Sequence, residues 1–193
     1  MDKKAIIREA EKFMRDNIPK SRLTKEGFDD MYLRHILGTR KYALHLADKY
    51  NSDKFIIEVA ALLHDVGADA KKEHAYKSAK ISRKFLSKFD MPDEIKNRII
   101  LCIERHSMGS VAETIEEQII QDADGIIFIE DTFKFFFEEG RRGFPLEEAR
   151  KFAIHKTKEM TNKIKTEEGI KMAKIFLGKS LKYIESFRDE PRA

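Results

Sequence analysis

The sequence predicts an all-α protein on three observations. Apolar residues recur at helical spacing, glycine and proline number only 9 and 4 of 193 residues, and no segment alternates with period two for long. The expected architecture is a helical bundle forming one unit over 1–193, with a core over about 25–140 and a C-terminal helical hairpin over about 145–190.

The first helix is expected over Lys3–Arg15, ended by Asn17-Ile18-Pro19. From Phe28 to Tyr50 the pairs His35/Ile36, Tyr42/Ala43 and Leu46/Ala47 follow Tyr32 at helical intervals. Asn51-Ser52-Asp53 then breaks the chain and caps the next helix. Phe55–Leu63 is apolar almost all round, and its Ala60-Ala61-Leu62-Leu63 half predicts a buried helix ending near Gly67. A helix over about Glu73–Lys88 should turn Ala75, Ala79, Phe85, Leu86 and Phe89 inward. Asp90-Met91-Pro92-Asp93 opens another that reaches Arg105. The next should run from Thr114 to about Phe137, opened by a Thr114/Glu117 capping box. Gly140-Arg141-Arg142-Gly143 reads as the clearest turn. Two last helices are expected over Pro145 to about Ile164 and Thr166–Arg188.

With 41% hydrophobic and 37% charged residues, the chain is globular rather than disordered. Lys and Arg number 38 against 34 Asp and Glu, too balanced to imply a nucleic-acid partner, and no aromatic interleaving supports one. The excess lies in the tail, where 11 Lys and Arg face 6 Asp and Glu from Lys151 onward. A solvated helix face explains this, and steering of an anionic substrate is the sharper reading. The single cysteine, Cys102, excludes an internal disulfide framework and sits among Ile100, Leu101 and Ile103 as a core thiol. No signal-peptide or membrane-length apolar run is present, so the cytoplasm is the expected location.

The chemically odd residues are histidines and aspartates set in apolar helices. His64-Asp65 ends the most buried predicted helix, and Asp124 sits between Ala123 and Gly125 after an apolar stretch. A carboxylate in such a place is costly unless paired or metal-bound. His35 from an earlier helix and Asp124 from a later one would complete a cavity lined by His64 and Asp65. Two imidazoles and two carboxylates suit Mn, Fe, Co, Ni, Zn or, less well, Mg, whereas one cysteine argues against a thiolate zinc site.

The order His35…His64-Asp65…Asp124 resembles the H…HD…D signature of the HD-domain superfamily of metal-dependent phosphohydrolases. LLHDVG, RHIL, RHS at 105–107 and IIQDADGI at 119–126 resemble the blocks of a bacterial and archaeal subfamily of small single-domain HD hydrolases. The tail resembles that subfamily's as well, so the likeness covers roughly 25–190. It implies an HD-domain helical bundle with a C-terminal extension, and a divalent metal held by His35, His64, Asp65 and Asp124. The implied activity is hydrolysis of a nucleotide or related phosphate ester or anhydride. A non-catalytic regulatory module that keeps its metal is the alternative.

Two departures from the subfamily stand out. Gly38 occupies a position often held by arginine, with Arg40 two residues on, and Gly125-Ile126-Ile127-Phe128 replaces the usual continuation of the Asp124 block. His74 and His106 resemble the extra histidines of two-metal relatives. One tightly held ion is favoured, with a second possible through that pair. His74, His106, Asp65 and Lys77 are the candidates for work at the substrate, with Lys71, Lys72 and Arg105 as weaker phosphate donors. Asp69 is a candidate general acid or ligand-orienting partner. His45 and His155 read as ordinary helical histidines. The Phe133–Phe137 stripe reads as core packing combined with a homodimer interface or a pocket wall.

Overall fold

A computed structural model describes residues 1–19, 30–68 and 73–187 of the protein. Among these residues the elements are helical and no strand occurs. Helix α1 spans Lys3–Asn17, α2 Met31–Lys49, α3 Lys54–Leu63, α4 His74–Leu86 and α5 Asp93–Glu104. Helix α6, Ile115–Ile127, passes through a π-helical turn at Phe128–Thr132 into α7, Phe133–Gly143. Helices α8, Leu146–Lys163, and α9, Glu167–Ser186, form the C-terminal hairpin. Among the described residues no helix is long and apolar enough to cross a membrane.

Local chemistry sets most of the boundaries. Asp30 caps α2 by accepting the Leu33 N–H at 3.2 Å, and Asp53 caps α3 by accepting the Phe55 N–H at 2.9 Å. Between them Asn51 adopts φ 52°, and the Ser52 N–H returns to the Ala47 carbonyl at 3.0 Å, which closes α2 with a left-handed turn. Thr114 caps α6 through the Glu117 N–H at 3.3 Å, as the capping box predicts. The reciprocal bond is displaced by one residue, because the Glu117 carboxylate takes the Glu113 N–H at 2.7 Å.

Helix α3 is the centre of the molecule. Phe55, Ile56, Ile57, Val59 and Ala60 to Leu63 are all buried, enclosed by α1, α2, α5 and α6. Its all-round apolar surface is what such a position requires. Helix α2 packs most extensively against α6, and this pair carries His35 and Asp124 into the interior. A second apolar cluster, of Phe128, Phe133, Phe137, Ala149, Ala153 and Ile184, joins α7 to the hairpin. Phe133 and Phe137 are thus fully enclosed by their own chain, with Tyr183 and Phe187 packed edge-on or tilted against them.

Two expectations for this region need correction. The helix opened by Thr114 does not run unbroken to Phe137, because the π-helical turn re-registers it after Ile127. Gly140-Arg141-Arg142-Gly143 is the last turn of α7, not a loop. A Cβ on Gly140 would meet the Ala149 Cβ at 3.4 Å, an ordinary van der Waals contact. The true turn is Phe144–Pro145, where Phe144 is extended at φ −134° as a residue before proline must be.

A candidate metal centre

The site forms where α3 ends. His64 is the C-cap of α3, and its Nδ1 donates to the Ala61 carbonyl at 2.8 Å, which turns the Nε2 lone pair away from the helix. The chain then turns tightly through Gly67, whose N–H donates to the Ser78 hydroxyl at 2.9 Å. A Cβ on Gly67 would lie 2.7 Å from the Ser78 backbone nitrogen, so only glycine allows α4 this close to the His64-Asp65 turn.

Four imidazoles and two carboxylates converge here. His35 Nε2 lies 2.9 Å from Asp124 Oδ1, 3.3 Å from His64 Nε2 and 3.6 Å from Asp65 Oδ2. His64 Nε2 is likewise 3.6 Å from Asp65 Oδ2. The other oxygen of Asp65, Oδ1, faces the second imidazole pair, 3.5 Å from His106 Nε2 and 3.9 Å from His74 Nε2. His106 and His74 are 3.2 Å apart through their Nε2 atoms. His106 Nδ1 donates to the Ile103 carbonyl at 2.6 Å, so its Nε2 also carries a lone pair. Asp65 therefore stands between two nitrogen pairs, one oxygen to each. His35, His64 and Asp124 form one group with donor atoms within 4.8 Å of one another, and His64, Asp65 and His106 form another.

This arrangement suits a cation and is poor without one. The Nε2 lone pairs of His64 and His106 are brought against other imidazole nitrogens and the Asp65 oxygens, and Asp65 Oδ1 is buried without a hydrogen-bond donor among the described residues. Burial holds His64 neutral, with its pKa lowered to about 4. Burial also pushes the Asp65 carboxyl up, but His64, His106 and His35 outweigh it and hold the group far below the usual carboxylate range. For Asp124 burial is again opposed, here by Lys163 and His35, and the carboxyl lies well below its ordinary value. His35 shifts the other way. Burial disfavours its charged form, yet the bond to Asp124 and the two nearby carboxylates prevail and raise its pKa. The N/O donor set and the orphaned oxygen fit a divalent metal ion.

Several surrounding residues escape a reading of the sequence. Thr132, on the π-helical turn, places its hydroxyl 3.1 Å from His35 Nδ1 and passes its own proton toward the Ile127 carbonyl at 3.4 Å. This fixes the His35 ring in the way that hydrogen-bonded partners orient metal-ligating histidines. Lys163, the last residue of α8, is buried with its ammonium on Asp124 Oδ2. The turn that delivers it is clamped to α6 by Asp122, which accepts from Lys165 N at 2.9 Å, Thr166 N at 2.8 Å and Thr166 Oγ1 at 2.5 Å. Gln118 adds a bond to the Lys163 carbonyl at 3.3 Å. Asp122 faces away from the centre, as its two-residue offset from Asp124 predicts.

Other candidates fare differently. Lys77 follows His74 by one turn of α4 and is half-buried. Arg105 places Nη1 on Glu113 and Glu117, and the Arg40 guanidinium is bound to Glu58 and Glu11. Asp69, Lys71 and Lys72 lie outside the described residues. His45 and His155 sit on exposed helix faces beside Glu168 and Glu159. Cys102 is buried, and burial pushes its thiol far up.

Beside His74 and Ser107 a cleft of about 800 Å³ opens, lined by Tyr76, Leu101, Arg105, Met108, Val111 and three glutamates among others. The hydroxyl of Ser107, which lines the cleft, lies 3.2 Å from His74 Nε2.

Comparison with known proteins finds this fold elsewhere. The chain resembles Bacillus subtilis YpgQ, with a TM-score of 0.75 and 21% identity over 96% of this chain and 95% of that one. The complex of YpgQ with ADP gives 0.73 and 23%, over 96% and 94%. An HD-superfamily hydrolase from Bacillus thuringiensis gives 0.71 and 21%, over 96% of each chain. At these identities the likeness is one of fold. Two curated relatives, the tRNA (cytidine(56)-2'-O)-methyltransferases of Picrophilus torridus and Thermoplasma volcanium, are each 29% identical over 54% of this chain. The matched stretch spans 34% of either methyltransferase. The family model of the HD domain matches residues 32–128, half of the chain, and takes in every imidazole and carboxylate of the centre. The protein belongs to the HD-domain family.

Proposed function

We propose that the protein is a metal-dependent phosphohydrolase acting on a nucleotide or a related phosphate ester or anhydride. The observation that carries this reading is Asp65, set between two imidazole pairs with an oxygen that no donor among the described residues satisfies. A divalent cation held there supplies Lewis-acid chemistry, polarising a phosphoryl oxygen and lowering the pKa of water. His35, His64, Asp65 and Asp124 would hold one ion, and His74 and His106 with Asp65 Oδ1 would hold a second or meet the substrate phosphate. Substrate would approach from the cleft lined by Ser107, whose hydroxyl lies 3.2 Å from His74 Nε2. The cleft's size falls within the range of small-molecule sites, and Tyr76, Met108 and Val111 offer apolar area for a base or other leaving group. The fold likeness to a protein crystallised with ADP supports a nucleotide as the first substrate to try.

The Phe133–Phe137 stripe is taken up largely by the chain's own core. A homodimer at this end of the molecule would use Phe136, Phe144 and Phe152, which line an adjacent groove of about 560 Å³. Light scattering of wild type and Phe144→Lys tests this.

Nucleoside mono-, di- and triphosphates and generic phosphate esters, each with Mn²⁺, Co²⁺, Ni²⁺ or Mg²⁺, form the deciding screen. Turnover is expected with wild type and should vanish in Asp65→Ala and Asp124→Ala variants that remain helical. A metal-loaded wild type inert on every phosphate would favour the non-catalytic module instead.

A further inference from the structure

The eleven basic residues of the tail read as a solvated face, yet one of them has left the surface. Lys163 has a side chain only 3% exposed, and its ammonium meets Oδ2 of Asp124, while Oδ1 of the same carboxylate faces His35 at 2.9 Å. A buried lysine is rare and is held only where the charge has a partner. Several separate contacts keep it there. Asp122 clamps the Lys165–Thr166 backbone, and Gln118 binds the Lys163 carbonyl. Gly125 lets Ile164 approach α6, since a Cβ there would fall 2.9 Å from Ile164 Cγ1. Gly169 leaves room for Asp122, since a Cβ there would lie 2.6 Å from Asp122 Oδ2. The whole α8–α9 turn is built to hold Lys163 against Asp124.

We infer that Lys163 is a positioning residue of the metal centre, occupying Oδ2 so that Asp124 engages a cation through Oδ1 alone. This rests on the metal-centre reading above. Its second effect is electrostatic. With neutral imidazoles, Asp65 and Asp124 carry two negative charges and Lys163 returns one positive charge. The ammonium therefore weakens the centre's hold on divalent ions while fixing the geometry of the carboxylate. A lysine that merely propped the fold would do the opposite, because its loss would loosen Asp124 and weaken metal binding.

That opposition in sign is the test. Divalent-ion affinity is measured by chelator competition with Mn²⁺ or Co²⁺ on wild type, Lys163→Met, Lys163→Gln and Lys163→Arg. Methionine and glutamine should tighten binding by about tenfold or more, because a like charge beside the ion is gone from a low-dielectric site. Arginine should stay near wild type. The Co²⁺ absorption spectrum should change in the methionine and glutamine variants as Asp124 gains a second oxygen to offer. Unchanged or weaker binding in folded variants overturns the inference. Where the variants fail to fold, anomalous diffraction from metal-loaded wild type decides. Nζ remaining on Oδ2 with the ion on Oδ1 supports it, and both oxygens on the ion overturn it. A wild type that binds no divalent ion at all would instead remove the metal-centre reading itself.

Discussion

Gly38 and Ile127 occupy each other's space: a Cβ on Gly38 would lie 2.3 Å from Ile127 Cδ1 and 3.3 Å from its Cβ. The two residues face one another across the α2–α6 contact. The absent side chain at 38 and the branched side chain at 127 thus fit together as one packing arrangement. The contact lies three residues beyond His35 and three beyond Asp124, so it sets how closely the two ligand-bearing helices approach.

Gly38→Ala should therefore destabilise the protein although alanine is the better helix former. Helix propensity favours alanine by about 1 kcal/mol, whereas forcing a methyl into a filled interface costs about 1–3 kcal/mol. A net loss of about 1 kcal/mol is expected in denaturant unfolding. Pairing it with Ile127→Ala should recover part of the loss that adding the single effects predicts. Strict additivity would show that the two residues do not compete for space.

His64, Asp65 and Asp124 stand out in the sequence as anomalies in their own segments, whereas His74 and His106 are singled out only by the resemblance to two-metal relatives. His64-Asp65 closes the most apolar helix, and Asp124 interrupts another. The features that stayed hidden depend on tertiary events that leave no local mark. Lys163 lies in Asn162-Lys163-Ile164-Lys165, indistinguishable from a solvated face until Asp122 draws the turn inward. Thr132 reaches His35 only because the helix takes a π-helical turn, where Ser180 satisfies the Ile129 carbonyl from α9. Arg105 carries the right charge in the right region, but its partners Glu113 and Glu117 come from the following segment. The glycines at 140 and 143 mimic a loop because their place in the last turn of a packed helix is invisible to spacing.

Thr132 provides a second prediction. Thr132→Val keeps the shape but removes the oxygen facing His35 Nδ1, leaving a buried ring nitrogen without its partner. Metal affinity should fall by about 10- to 100-fold, the usual cost of losing a partner that orients a ligand. Thr132→Ser should retain it. Equal affinity in wild type and the valine variant would remove Thr132 from the centre.

Cys102 should behave as a core thiol. It is 1% exposed, and burial pushes its pKa far up, so almost no thiolate forms at neutral or mildly alkaline pH. Native protein should resist alkylation at about pH 8 and react with one equivalent once unfolded in guanidinium. Cys102→Ala should keep turnover while lowering stability modestly. Rapid labelling of the folded protein, or lost turnover in the alanine variant, would contradict this.

The last prediction concerns how many ions the centre takes. Sequence context favours one, because His35, His64, Asp65 and Asp124 suffice for a single ion. The geometry of Asp65 supports two. Its Oδ2 faces His35 and His64, its Oδ1 faces His106 and His74, and Oδ1 has no hydrogen-bond donor among the described residues. A carboxylate divided in this way can serve both sides. Metal titration of wild type should give two equivalents. His106→Ala and His74→Ala should each lose one and keep the other, because the His35–His64–Asp124 group is untouched. Asp65→Ala should lose the second ion entirely and weaken the first. Both histidine substitutions should also depress turnover, with anomalous diffraction locating whichever ion remains. A wild type that saturates at one equivalent, with His74→Ala and His106→Ala binding it as tightly, would assign that pair to the substrate phosphate instead.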